Sequence, residues 1–260
     1  MNNSTVYQVP VNDYGRKVLD LVSLMGETLL LNGAEISRVQ TTMELVSKAY
    51  NKDDIDVYAI SNGIFVTLRH DDKTRCTHIK HVPLATPNLG RVTQINALSR
   101  KIVEQKLPID DALKELDFIL ETPTFPLWVQ MIASAIGSSC FCYLFGGSIF
   151  DFFAAIPVGV ALCLAQHLMS RSQLSKMIQT ILGSAFVTLC GIFISQLIPG
   201  LDSDNIIIGG LIILVPGVPF TTSIRDFFNG DYLSGTIRLI DAILVALCMA
   251  IGVGVSHYFF

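Results

Sequence analysis

The second half of the chain limits the fold more than any other feature. Five apolar runs, at residues 127–145, 152–168, 178–198, 206–224 and 239–258, follow one another with short joints between them. Each approaches the ~20 residues a helix needs to cross a hydrocarbon core of ~30 Å. Without water to satisfy backbone donors and acceptors, such runs must cross as helices. Charge is distributed accordingly. Fourteen of the 18 Lys+Arg and 16 of the 22 Asp+Glu precede Pro126, and beyond it only Arg171, Lys176, Arg225 and Arg238 are basic. The expected fold is a helical membrane protein with five transmembrane helices (residues 126–260) behind a cytoplasmic α+β domain (residues 1–125).

The joints predict the orientation. Arg171 and Lys176 mark the second joint, Arg225 and Arg238 flank the fourth, and the third carries Asp202 and Asp204 without a basic residue. Basic loops stay in the cytoplasm, which puts the amino terminus inside and the carboxyl terminus outside a plasma membrane. Residues 1–14 are polar and contain no apolar signal core. The net charge of −4 and the absence of a basic block exclude nucleic acid as a partner. The six cysteines form neither a CxxC pair nor a disulfide framework, and Cys140 and Cys142 fall on different helical faces. No metal or other cofactor is expected.

One run is chemically unusual. In LVPGVPFTTSIRDFFNGDYLSGTIR, residues 214–238, Pro216 and Pro219 bracket Gly217 inside an apolar stretch. Each proline removes a donor and crowds the preceding turn, so the helix is predicted to bend or break. Broken spans beside fixed charges build substrate sites in transporters. The predicted cradle is Pro216, Gly217, Pro219, Thr221, Thr222 and Ser223, with Arg225 or Arg238 attracting a carboxylate. Asp226 or Asp241 would titrate, with Asp151 a second candidate at the outer rim. Asp241 lies three residues after Arg238 on one helical face, a spacing that also permits a structural ion pair. Pro157 and Gly159 mark the second run, whereas Gln166, His167, Gln196 and His257 lie near run ends.

The first half alternates differently. Val18, Val22, Met25 and Leu29 define one amphipathic helix over residues 14–31, stopped by Asn32-Gly33. Ile36, Val39, Met43 and Val46 define a second over 34–50. Strands are predicted at 55–60, 63–70 and 74–82, turning at Ser61-Asn62 and Asp71-Asp72-Lys73, and helices at 89–105 and 109–120. His78 and His81 fall on opposite faces of a strand, which disfavours a metal site. Asp53, Asp54 and Asp56 read as a solvated loop. In NGAEISRVQ, Glu35 occupies a helix's first turn, where an acid suits the dipole, with Arg38 three residues on. No phosphate loop, GxSxG elbow or HExxH helix is present.

With GAEISRV (Gly33, Glu35, Arg38), three strands, five apolar runs and LVPGVPFTTSIRDFFNGDYLSG, the chain resembles the threonine/serine exporter family in its shorter, split form. The likeness covers nearly the whole chain. It implies a bacterial inner-membrane exporter of small amino acids driven by the proton gradient, and not an enzyme. It also implies a second, smaller membrane subunit of the same family, one such pair being associated with succinate export. An odd number of spans points the same way, to a partner subunit or a homo-oligomer in the bilayer. The family's cytoplasmic domain has been likened to a hydrolase. A membrane-anchored hydrolase and a regulatory subunit for another transporter are therefore the rival readings.

Overall fold

The structure, a computed structural model, describes residues 13–50, 55–69, 75–83, 87–122, 125–172 and 174–259. Asp53, Asp54 and the Asp71-Asp72-Lys73 turn lie outside the described residues. The chain divides into two compact units. One contains the residues up to Thr122 together with Val218–Leu239, and the other contains Pro123–Gly217 with Ile240–Phe260.

In the first unit, α1 (Asp13–Leu31) and α2 (Ile36–Ala49) cover a three-stranded antiparallel sheet of order β1-β2-β3. The strands are β1 (Ile55–Ile60), β2 (Gly63–Arg69) and β3 (Arg75–His81). Val18, Val22, Met25 and Leu29 of α1 and Ile36, Val39, Met43 and Val46 of α2 are fully buried, so the helical periodicity identified both faces. Gly26 lets the two helices approach closely, because a Cβ there would lie 2.2 Å from the Met43 sulfur. The sheet's inner face pairs Ile55 with Leu68 and Ala59 with Ile64. Its outer face aligns Tyr58, Phe65 and Ile79. Helix α3 (Leu89–Gln105), capped by the Asn88 side chain, and α4 (Ile109–Glu121) complete the layer.

Between α1 and α2 the chain turns sharply. Gly33 takes φ +84°, and the amides of Gly33 and Ala34 bond back to Leu30 and Leu29 at 3.1 and 3.0 Å. This is a left-handed helix stop that a side chain would strain. Glu35 is therefore outside the helix, as the N-cap of α2, and its side chain makes no cap hydrogen bond. That corrects the expectation that it sits in the first turn.

In the second unit, α5 (Leu127–Leu144), α6 (Ile149–Ser170) and α7 (Lys176–Leu197) pack with the short α8 (Ser203–Leu211). Val158, Leu162, Val187, Ile206 and Ile207 form this unit's apolar core, and small residues make close polar contacts. The Ser134 and Ser138 hydroxyls donate to the Gly159 and Ala155 carbonyls at 2.7 and 3.0 Å, as in close membrane-helix packing. Pro157 is accommodated inside a continuous α6. The remaining part of this unit is the carboxyl-terminal portion of α10 (Tyr232–Phe259).

Among the described residues four helices, α5, α6, α7 and α10, are long and apolar enough to cross a membrane. The run at 206–224 is not a fifth continuous helix. It divides into α8, nine residues long, and α9 (Gly217–Phe228), joined through tight turns at 212–216. Pro216 immediately precedes α9 and Pro219 is its third residue. At a helix start the first amides have no intrahelical acceptor, so proline's missing donor costs nothing there.

Candidate functional site

The two segments that looked most distinctive in the sequence meet in the first unit. Helix α9 and the start of α10 form a hairpin around Gly230, whose φ is +85°. The Gly230 and Asp231 amides bond back to Phe227 and Asp226, ending α9. This hairpin faces the α1–α2 joint. Arg225 pairs with Glu35, and the Asn229 amide donates to Ser37 Oγ at 3.1 Å. Arg238 donates to the Ala34 carbonyl at 2.8 Å, while the Ile36 amide points at Asp226 Oδ1 from 3.5 Å. A second contact reaches the β1–β2 turn. Ser61 Oγ donates to the Ser234 carbonyl at 2.9 Å, and the Ser61 amide to Ser234 Oγ at 3.2 Å.

At the centre lies a buried ion pair. Arg238 Nη1 and Asp226 Oδ2 are 3.2 Å apart, with 6% and 0% of their side chains exposed. The separation is that of an ion pair, yet neither atom has a hydrogen-bond partner of good angle. Burial pushes the Asp226 carboxyl above the ordinary carboxylate range, against the pull of Arg238 and the Ile36 amide. Asp231 and Glu35 push it the same way. Desolvation thus outweighs attraction, as it can for an imperfectly aligned buried pair.

The other anticipated residues are placed as follows. The hydroxyls of Thr222 and Ser223 donate to carbonyls of α9 itself, Val218 and Phe220, at 2.8 and 2.7 Å, and Thr221 donates to Val218 at 3.1 Å. Gly217 has open space where a side chain would stand. Arg38 is exposed and does not pair with Glu35. Asp241 pairs with Lys176 at 2.9 Å, so the Arg238–Asp241 pair that the spacing permits is not the one that forms. Asp151 completes a capping box. Its Oδ2 accepts from the Ser148 amide and hydroxyl at 2.7 Å, and its Oδ1 from the Asp202 amide at 2.9 Å. The partnership of Glu35 with Arg225 was not legible in the sequence, because 190 residues separate them. The only signal was that both stand in distinctive motifs.

Comparison with known proteins decides the family. Residues 20–260 match the family described as "Putative threonine/serine exporter". The chain belongs to the threonine/serine exporter family. It is 26% identical over 244 residues to the "Probable threonine/serine exporter" of Mycobacterium tuberculosis, covering 93% of this chain and 46% of that protein. It is 25% identical to "Pheromone-regulated membrane protein 10" of Debaryomyces hansenii, covering 90% of this chain and 24% of that protein. The chain thus spans half or less of these longer relatives. Against the "Probable succinate transporter subunit YjjP" of Escherichia coli it is 25% identical, covering 92% of this chain and 93% of that protein. No solved structure matches the chain. Membership makes this a transporter-family protein, and its apolar helices fit a multi-pass membrane protein.

Proposed function

We propose that this exporter-family chain moves a small carboxylate-bearing solute out of the cytoplasm, with the α9–α10 hairpin as the solute contact. The observation that carries the reading is the buried Asp226–Arg238 pair beside the Glu35–Arg225 pair. Arginine's planar fork suits a carboxylate, and two acids beside two arginines also suit a solute that carries an ammonium group. Pro216, Gly217 and Pro219 set the start of α9, and Thr221, Thr222 and Ser223 line its first turns as the remaining cradle. Asp226 is the proposed proton carrier, because its carboxyl is buried with only the imperfectly aligned Arg238 and the long contact from the Ile36 amide to offset its desolvation. Asp241, held by Lys176, and Asp151, accepting from three donors, rank behind it.

In this reading residues 1–125 are cytoplasmic and residues 126–260 hold the bilayer-spanning part, with the 206–224 run crossing as a broken helix. The carboxyl terminus is outside. Within the second unit, the Asp151–Asp202 contact brings the first and third joints to one end, which supports an alternating up-and-down path. The test is flux from proteoliposomes, using labelled threonine, serine and succinate with an imposed pH gradient. Export of one of these that fails in Arg238→Ala and loses its pH-gradient dependence in Asp226→Asn is the expected result. Full gradient-driven export by Asp226→Asn would sink the coupling role.

A second reading is a dicarboxylate exporter subunit that needs a second membrane protein. It is favoured by the relatives of matching length, which carry the name of a succinate transporter subunit. Succinate flux that arises only when such a partner is co-reconstituted would select it. Flux by this chain alone, as a homo-oligomer, would exclude it.

A further inference from the structure

The hairpin Val218–Leu239 docks on its domain in an unusual way. The residues it buries are Ser223, Asp226, Ser234, Gly235 and Arg238, and not one apolar side chain among them is buried. The domain's own apolar core, built from α1–α4 and the strands, includes nothing from the hairpin. Along α9 the large apolar residues Phe220, Ile224 and Phe228 are exposed instead. Apolar burial is the main force that fixes elements permanently, at ~25 cal/mol per Å². Hydroxyl contacts and an imperfectly aligned buried ion pair, whose attraction is offset by desolvation, add little net stability over the same groups in water.

The contacts are also concentrated. Ala34, Glu35, Ile36 and Ser37 are four consecutive residues, and each engages a different hairpin residue: Arg238, Arg225, Asp226 and Asn229. Ser61 supplies a second grip through Ser234. After the Gly33 stop, Glu35 is extended and α2 begins at Ile36, which leaves the Ala34 carbonyl and the Ile36 amide, outside the helix's own bonding, available to another partner. The Glu35 side chain makes no cap hydrogen bond in its own helix and pairs with Arg225.

We infer that the 34–37 segment is a releasable clamp for the α9–α10 hairpin, with Glu35 the positioning residue that sets Arg225 and so orders the hairpin. The cytoplasmic domain then contributes by gripping and freeing the solute-contacting hairpin. The transport arm of the test rests on the exporter reading above, and the exchange arm does not.

Hydrogen exchange on the full chain in lipid nanodiscs tests the clamp directly. The amides of residues 223–228 are expected to exchange faster than those of the α1 and α2 cores. Glu35→Gln should accelerate them by about threefold and leave α3 unchanged. Exchanging the charges, with Glu35→Arg and Arg225→Glu together, should restore the original rate. Hairpin amides as protected as α1, or a rate indifferent to Glu35→Gln, would overturn the clamp. For release during transport, Ser61→Cys with Ser234→Cys is oxidised to a disulfide. Flux should stop on oxidation and return on reduction, and undiminished flux in the cross-linked protein would refute release. Should the reduced pair already be inactive, the exchange rates decide. A chain that passes the exchange test but moves no carboxylate keeps the clamp and loses the proposed solute.

Discussion

Helices α8 and α9 come from one apolar run and are held by opposite physics. Helix α8 packs by shape: Ile206 and Ile207 are buried, and Gly209 and Gly210 press against neighbouring helices. A Cβ on Gly209 would lie 2.5 Å from the Ser138 carbonyl oxygen and one on Gly210 2.6 Å from Val187. Helix α9 buries only Ser223 and Asp226. Both come from a single apolar stretch of sequence, yet one is locked by close packing and the other is attached by charge. The difference separates what a membrane protein keeps fixed from what it can exchange.

The largest test of this contrast is Asp226→Ala. It leaves Arg238 buried without its counter-ion, a loss of about 3 kcal/mol or more. The hairpin should undock, raising exchange at residues 223–228 by at least about a hundredfold. Replacing both partners by apolar residues, Asp226→Leu with Arg238→Met, should keep the hairpin docked while abolishing flux. Equal exchange in the two variants would show that the pair does not hold the hairpin. Gly209→Val comes next. Its side chain has nowhere to go, and a cost of about 2 kcal/mol is expected in thermal unfolding in detergent, with hairpin exchange unchanged.

A smaller effect concerns pH. The Asp226 carboxyl is raised in the folded protein by burial, so the native state binds its proton more readily than the unfolded chain does. Its contribution to stability is present below the ordinary carboxylate value, near ~4, and is lost as pH rises through the raised native value. Hairpin exchange, corrected for its intrinsic pH dependence, should therefore slow on acidification through that window. Asp226→Asn should remove the trend. The smallest expected change is in Arg225→Gln, whose side chain is 60% exposed. Thermal stability should fall by less than about 1 kcal/mol, whereas solute affinity should drop measurably.

Much of the first unit was legible because its elements are amphipathic and separately punctuated. The α1 and α2 faces follow from apolar spacing, and Ser61-Asn62 closes the β1–β2 hairpin where a two-residue turn is expected. The break near Pro216 was legible as proline chemistry, although the prolines mark the start of a new helix and not the middle of a bent one. The docking of the hairpin was not legible. Hydropathy and local spacing describe a segment's own preference, and the pairing of Arg225 with Glu35 is a long-range contact between charged side chains. The same limit explains Arg238. Its i,i+3 neighbour Asp241 is the nearer acid in sequence, but tertiary placement supplies Asp226 instead.

Helix α10 is one unbroken rod of 28 residues, about 42 Å long, and it carries both Arg238 and Asp241. An unbroken helix has no swivel between positions three residues apart. Any twist about its axis that swings Arg238 away from Asp226 and the Ala34 carbonyl turns Asp241 through the same angle. The unbroken helix thus fixes the angle between the directions in which Arg238 and Asp241 leave its axis.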